Sequence, residues 1–145
     1  MSGRVDINAP PEKVYSSLTD PSFMATTIPD LVSSKIIDSE HFEAKIKVGI
    51  SIVRGTVDMR FAIVDKSNNK HAKLVGDGSG AGSKMHVESG FELTPLGSGS
   101  TALNWAGEAE LSGLISGIGS QILRGQSDKL VEQIFQNVRS KLESQ

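Results

Sequence analysis

The side chains best suited to chemistry are few in this sequence. Histidine occurs three times, at His41, His71 and His86, and cysteine does not occur. Without thiols there is no disulfide, no thiolate metal site and no cysteine nucleophile. All three histidines fall on the polar phase of alternating segments, and His71 and His86 are expected near one another across one hairpin, on its wet face. A metal centre needs converging ligands and groups that orient them. Nothing else converges here, so these read as solvated surface histidines and no metal is expected. No G-x-S-x-G occurs, and no acid–base pair sits on an inward phase, where little beyond Ser89 is polar. Arg54, Asp58 and Arg60 share an outward face and read as members of cross-strand charge pairs. The run Gly76-Asp77-Gly78-Ser79-Gly80-Ala81-Gly82 loosely matches a nucleotide-binding pattern, but Ser83–Val87 after it alternates like a strand where that motif needs a helix. It reads as a hairpin turn or flexible rim.

What remains is apolar. Ile46, Val57, Met59, Phe61, Leu74, Met85, Val87 and Trp105 occupy inward phases of successive segments. Ile115, Ile118, Ile122, Ile134 and Val138 recur at helical spacing to face them, and Met24 and Ile28 come from a short helix. Such a set makes either a packed core, the usual state of protein interiors, or a hollow for an apolar molecule. Unbranched thioethers adapt to irregular shapes. Each CH₂ removed from water contributes about 0.8 kcal/mol, so a tail of about ten carbons can be held without a charged contact. Gly113, Ser116, Gly117, Gly119 and Ser120 crowd the start of the last apolar repeat. Glycine costs about 1 kcal/mol against alanine within a helix, so these residues imply either close packing on the sheet or a start that flexes as a gate.

The elements that must position this set follow from the periodicities. Arg4–Asn8 alternates as a strand, and Pro10-Pro11-Glu12 opens a helix carrying Val14, Tyr15 and Leu18. Asp20-Pro21 breaks it, and a second short helix carries Phe23, Met24 and Ile28 before Pro29-Asp30. Alternation then runs through Phe42–Val48, Val53–Ile63, Ala72–Leu74, Met85–Leu93 and Leu103–Leu111, with turns at Ser67–Lys70 and Gly97–Ser100. This predicts an antiparallel sheet with one wet and one covered face. From about Gly113 to Leu142 the spacing is helical, over about 45 Å, with Ser112 as the expected N-cap and Glu143–Gln145 expected to fray. The order is strand, two short helices, about six strands, long helix. It gives an α+β fold in one domain over residues 1–145, with the helices on one face of a curved sheet.

Composition agrees. The 145 residues are 37% apolar and 22% charged, as in an ordinary globular chain. Fifteen Lys and Arg against 17 Asp and Glu argue against a nucleic-acid partner. No apolar run reaches the roughly 18–20 residues that span a bilayer. The first residues lack the apolar centre of a signal peptide, so a cytoplasmic location is expected.

Three stretches also resemble a known family. Pro11–Pro21 is similar to its P-x-x-V-x-x-x-L-x-D-P motif, and Ile28-Pro29 to the I-P that follows. Phe42–Gly49 resembles its F-E-A strand, and Gly76–Gly80 its G-x-G-x-G segment. The family is that of the carbon monoxide dehydrogenase G subunit, within the START/Bet v 1-like (SRPBCC) superfamily. The resemblance implies a helix-grip fold with a cavity between sheet and long helix, lined by Met24, Ile28 and the inward residues named above as far as Ile122. It implies a lipid, an isoprenoid quinone or a hydrophobic cofactor precursor as ligand, and a molybdenum-containing dehydrogenase as partner. It also implies an accessory rather than a catalytic role, with no cofactor of the protein's own. Many relatives continue into a Pro-rich linker and apolar anchor; the expectation for this chain is peripheral membrane contact at most. Two other readings stay open. One is a cyclase- or hydrolase-type enzyme acting in the same cavity, for which Tyr15 is the only tyrosine. The other is a protein-interaction module with a filled core.

Overall fold

The computed structural model describes residues 2–50, 53–97 and 99–144. Strand β1 (Ser2–Ile7) buries Val5 and Ile7 and turns Arg4 and Asp6 outward, where they pair at 2.8 Å. Pro10 and Pro11 then start α1 (Pro11–Leu18), at positions where a missing N–H costs nothing. Asp20 caps α2 (Pro21–Thr27), its carboxylate accepting from the Ser22 N–H at 3.0 Å. Ile28 is already extended, as a residue before proline prefers.

Six strands follow: β2 (Leu31–Ile36), β3 (His41–Ile50), β4 (Val53–Ser67), β5 (His71–Gly80), β6 (Ser83–Pro95) and β7 (Thr101–Gly113). A 3-10 turn, Leu114–Gly117, leads to α3 (Ser120–Glu143). All strands pair antiparallel in one curved seven-stranded sheet ordered β1-β7-β6-β5-β4-β3-β2. The architecture is the expected α+β helix-grip. Val5, Ile7, Leu93, Leu103 and Trp105 of the sheet pack with Val14 and Leu18 of α1 and with Phe135, Val138 and Leu142 of α3. A smaller cluster of Val53, Ile115 and Ile118 closes the other end.

Three expectations need correction. The long helix does not begin near Gly113. Ser112 pairs with Lys84 within the sheet, and the residue capping α3 is Gly119, which offers no side-chain bond. The cause is local: Gly113, at φ 83°, turns the chain off the sheet. The Leu114 N–H then donates to the Gly82 carbonyl, and the Ile115 N–H to Ser83 Oγ, each at 2.9 Å. The glycine-rich run is not a turn as a whole. Gly76–Gly80 lies in β5, and only Ala81 and Gly82, at φ 51° and 75°, make the two-residue hairpin. Finally, Glu143 is anchored rather than frayed, accepting from the Asn8 N–H at 2.8 Å and from Arg139 Nε at 3.3 Å. Gln145, and Ser98 of the Gly97–Ser100 turn, lie outside the described residues.

Candidate functional site

The inner face of the sheet is built row by row. Ala109, Val87, Gly76, Phe61 and Phe42 stand side by side across five strands, and Leu111, Met85, Gly78, Met59 and Ala44 form the next row. Strand β5 thus presents Gly76, Gly78 and Gly80 inward, with Asp77 and Ser79 outward. The glycines make room for their neighbours. A Cβ at Gly76 would lie 2.6 Å from Phe61 Cε1 and 2.9 Å from Val87 Cγ2. One at Gly78 would meet Met59 Sδ, and one at Gly80 the Thr56 carbonyl. The Phe61 ring therefore lies over β5 and stacks on Phe42 at 5.0 Å. The Trp105 indole lies over Gly3 in the same way and stacks on Phe135 of α3 at 5.4 Å. Such pairs contribute about 0.5–1.5 kcal/mol beyond their buried area.

This packing is uneven along the sheet. Met24, Val57, Met59, Phe61, Trp105, Ile115 and Ile118 are buried. Ile28, Ile46, Leu74, Met85 and Val87 are only half-buried, and so are Val48 and Leu111 on the same inward phases. Met85 and Val48 touch both the main core and the smaller cluster, so this half-covered stretch lies between them. Over it runs the first half of α3, where Leu123 and Val131 are half-buried and Leu130 is exposed; Ile134, just beyond, is half-buried too. Ile122 does not face the sheet as its spacing predicts; it is 53% exposed. The reason is the late helix start. Ile115 and Ile118 belong to the 3-10 turn and its cap, so Ile122 no longer continues their stripe. Val48 and Leu111 were missed although the alternation reaches them: they extend the phases of Ile46 and Trp105.

The small residues before α3 can now be sorted. Gly113 is needed for its backbone, at φ 83° and against the Gly82 carbonyl. Gly117 and Gly119 are not packed on anything: a Cβ at either would meet no atom within 4 Å. Close approach to the sheet therefore does not explain them.

The buried polar side chains are Thr27, Ser83 and Thr101 among the described residues, and all are engaged. Thr27 and Thr101 donate to the Met24 and Ala9 carbonyls, and Ser83 Oγ accepts from Ile115. Two surface depressions have volumes of about 450 and 490 Å³. The first is at the β5–β6 tip, among Ser79, Gly82, Lys84 and Ser112. The second is among Asp65, His71, Lys73, Phe91, Glu92 and Trp105, and so shares Trp105 with the expected lining.

The sequence over residues 3–143 matches the family model of the carbon monoxide dehydrogenase G subunit (CoxG). The chain belongs to the CoxG family. No curated protein matches it. Among solved structures, a conserved protein from Geobacillus kaustophilus is 27% identical, over 97% of this chain and 93% of that one, with a TM-score of 0.87. A START superfamily protein from Mycobacterium smegmatis is 15% identical over 99% and 97%, with a TM-score of 0.74. A norcoclaurine synthase point mutant from Thalictrum flavum, in complex with a transition state analogue, shares the fold at 9% identity over 98% and 92%, with a TM-score of 0.62. In this CoxG-family chain no helix among the described residues is long and apolar enough to cross a membrane.

The outer face of this CoxG-family sheet is ionic. Arg60 pairs with Glu43 at 3.3 Å and Lys45 with Asp58 at 3.9 Å, as the alternation predicts, whereas Arg54 stands opposite Gly49 and has no ion pair among the described residues. His71 and His86 are not neighbours, because the register sets His71 opposite Glu92 and His86 opposite Asp77. His86 Nδ1 lies 2.5 Å from Asp77, and Nε2 lies 3.6 Å from Glu88. The bond to Asp77 raises the imidazole pKa against the opposing effect of partial desolvation, and Glu88 adds to the rise. Glu88 is itself held low, first by Lys73 at 2.9 Å. These groups point away from the half-covered apolar stretch.

Proposed function

We propose that this protein is a non-catalytic carrier of a hydrophobic small molecule, serving a molybdenum-containing dehydrogenase of the carbon monoxide dehydrogenase type. A lipid, an isoprenoid quinone or a hydrophobic cofactor precursor is the ligand class. The observation that carries the reading is the set of half-buried apolar residues, Ile46, Leu74, Met85 and Val87, on the inward phases of the sheet. A ligand lying there touches these first, with Ile28 beside them. Met24, Val57, Met59, Phe61, Trp105, Ile115 and Ile118 form the walls behind, and Ile122 stands at the mouth. Ten buried methylenes would supply about 8 kcal/mol of transfer free energy, which exceeds the lower estimates of association cost, about 4 kcal/mol. The enzyme reading takes its support from fold neighbours such as the norcoclaurine synthase. Against it stands the state of the buried Thr27, Ser83 and Thr101 hydroxyls, each already held by a backbone partner.

Native mass spectrometry of gently purified protein, followed by organic extraction, tests the proposal. An apolar adduct is expected, displaced by added quinone or fatty acid and lost in Met85→Glu. Repeated absence of any adduct, together with no uptake from a panel of quinones and fatty acids by folded protein, refutes it.

A further inference from the structure

The two edges of the seven-stranded sheet are unlike. At one edge β1 buries Val5 and Ile7, pairs Arg4 with Asp6 on its outer side and packs against α3. At the other edge, β2, every residue from Val32 to Ile36 is exposed. Val32 (56%), Ile36 (44%) and Ile37 (44%) are three of the seven exposed large apolar side chains among the described residues, and they fall within six positions. An open edge is a template for another strand, and chains blunt it with charge, proline or a bulge. β2 has no proline, a single charge at Lys35 and one register shift, between Leu31 and Ser33. Its backbone groups alternate in direction. The Ile37 N–H donates to the His41 carbonyl at 3.0 Å, and Lys35 and Ser33 stand opposite Glu43 and Lys45 in the same register. Residues 33, 35 and 37 therefore bond toward β3, while Ser34 and Ile36 turn their N–H and C=O groups to the open side.

These outward groups fit a second copy of the same strand. Antiparallel pairing about a two-fold axis at Ser34 sets Ser34 opposite Ser34, each N–H donating to the other's carbonyl. Ser33 then faces Lys35, and Val32 faces Ile36, on both sides of the axis. Polar residues meet at the centre and apolar ones at the flanks. Other registers fail. An axis at Lys35 sets two lysines face to face, where like charges destabilise a pair. An axis at Ser33 sets Ile36 against Asp30, and one between Ser33 and Ser34 opposes outward backbone groups with inward ones. Pairing of β2 with β1 of another copy is head-to-tail and propagates without closing. We propose that the protein forms a two-fold homodimer through β2, joining two seven-stranded sheets into one. Ile36 lies in register with Phe42, so the Val32–Ile36 contacts continue the apolar inner face across the joint. A six-residue strand pair falls short of the roughly 1,200 Å² of a standard interface, so the dimer is weak, with a Kd of about 100 μM. Pairing needs no ligand and stands apart from the carrier reading.

Sedimentation velocity of the full chain, from about 10 μM to about 1 mM, tests it. The sedimentation coefficient should rise from that of a monomer and level off at that of a dimer. Ser34→Pro removes an N–H that the sheet does not use, at an edge position where proline is tolerated. Ile36→Lys places a charge on the edge. Each change acts twice across the axis, so each should weaken the dimer at least about tenfold while far-UV circular dichroism stays that of the parent. If Ser34→Pro does not fold, Ile36→Lys, at an exposed side chain, decides alone. The chain has no cysteine, so Ser34→Cys gives one thiol at the axis. A short bis-maleimide should link two such copies, and should not link copies of Asp6→Cys, on the β1 edge. A parent that stays monomeric throughout, growth beyond the dimer, a folded Ile36→Lys that associates like the parent, or equal linking of the two cysteine variants overturns the proposal.

Discussion

Gly76→Ala isolates why β5 carries glycine on its inner face. The new methyl would sit 2.6 and 2.8 Å from Phe61 Cε1 and Cδ1, and 2.9 Å from Val87 Cγ2. Ordinary carbon contacts are about 3.5–4.0 Å, so the ring must retreat by about 1 Å. It has little space to do so, since Phe61 is 7% exposed and stacks on Phe42, which is fully buried. Overpacking of this kind costs about 1–3 kcal/mol. The loss of backbone freedom in the unfolded chain returns about 0.4–1 kcal/mol. The net is a destabilisation of about 1–2 kcal/mol, a fall in Tm of about 2–8 °C for a chain of this length. Thermal and urea melts of Gly76→Ala, of Phe61→Leu and of the pair make a double-mutant cycle. With the ring gone, the alanine should cost less, leaving only the 2.9 Å approach to Val87 Cγ2. A Gly76→Ala protein that melts at or above the parent, or one whose cost is unchanged in the Phe61→Leu background, would refute the idea that the ring occupies the glycine's space.

Gly125→Ala should act in the opposite sense. It lies inside α3 with no atom within 4 Å of its would-be Cβ, so alanine should add about 0.8–1 kcal/mol and raise Tm by about 2–4 °C. His86 should titrate above the ordinary histidine value of about 6.5, and Asp77→Asn should bring it down, both read by NMR. Because its folded pKa is raised, the His86 contribution to stability is complete below the ordinary value and is lost as pH rises through the folded one. An imidazole titrating at or below the ordinary value, or indifferent to Asp77→Asn, would contradict the assigned bond.

The strand phases were legible because one face of the sheet is covered and the other is wet; Val57, Met59 and Phe61 alternate with Asp58 and Arg60 for that reason. β2 was not legible, since from Val32 to Ile36 every residue of this edge strand is exposed and no alternation is selected. The glycine stripe hid a strand. Glycine has no side chain to mark a phase, and the cue that remained was the polar alternation of Asp77 and Ser79. The start of α3 was misplaced because Ile115, Ile118 and Ile122 mimic one helical stripe, while a positive-φ glycine and two bonds to the β5–β6 hairpin make the first two a separate turn. Of the candidate site, the inward residues of the sheet were readable from period two. Which of them stay half-covered was not, because that depends on where α3 stands off the sheet.

That stand-off has a physical origin in how α3 is held. Its second half is fixed at several points: Phe135, Val138 and Leu142 are buried, Phe135 stacks on Trp105, Asn137 donates to the Thr27 carbonyl at 2.9 Å, and Glu143 accepts from Asn8. Lys13 also donates to the Leu142 carbonyl at 3.3 Å. Its first half has none of these. Among the described residues, no side-chain hydrogen bond or ion pair ties residues 121–132 to the sheet. The helix also begins at a glycine without a side-chain cap and contains another at Gly125. Local stability follows buried contacts, so the two halves of one helix should open at different free energies. Residues 121–132 are then expected to open before the clamp at Trp105 and Phe135 does. On the carrier reading proposed above, a ligand would enter there at the cost of a few half-buried contacts instead of the core.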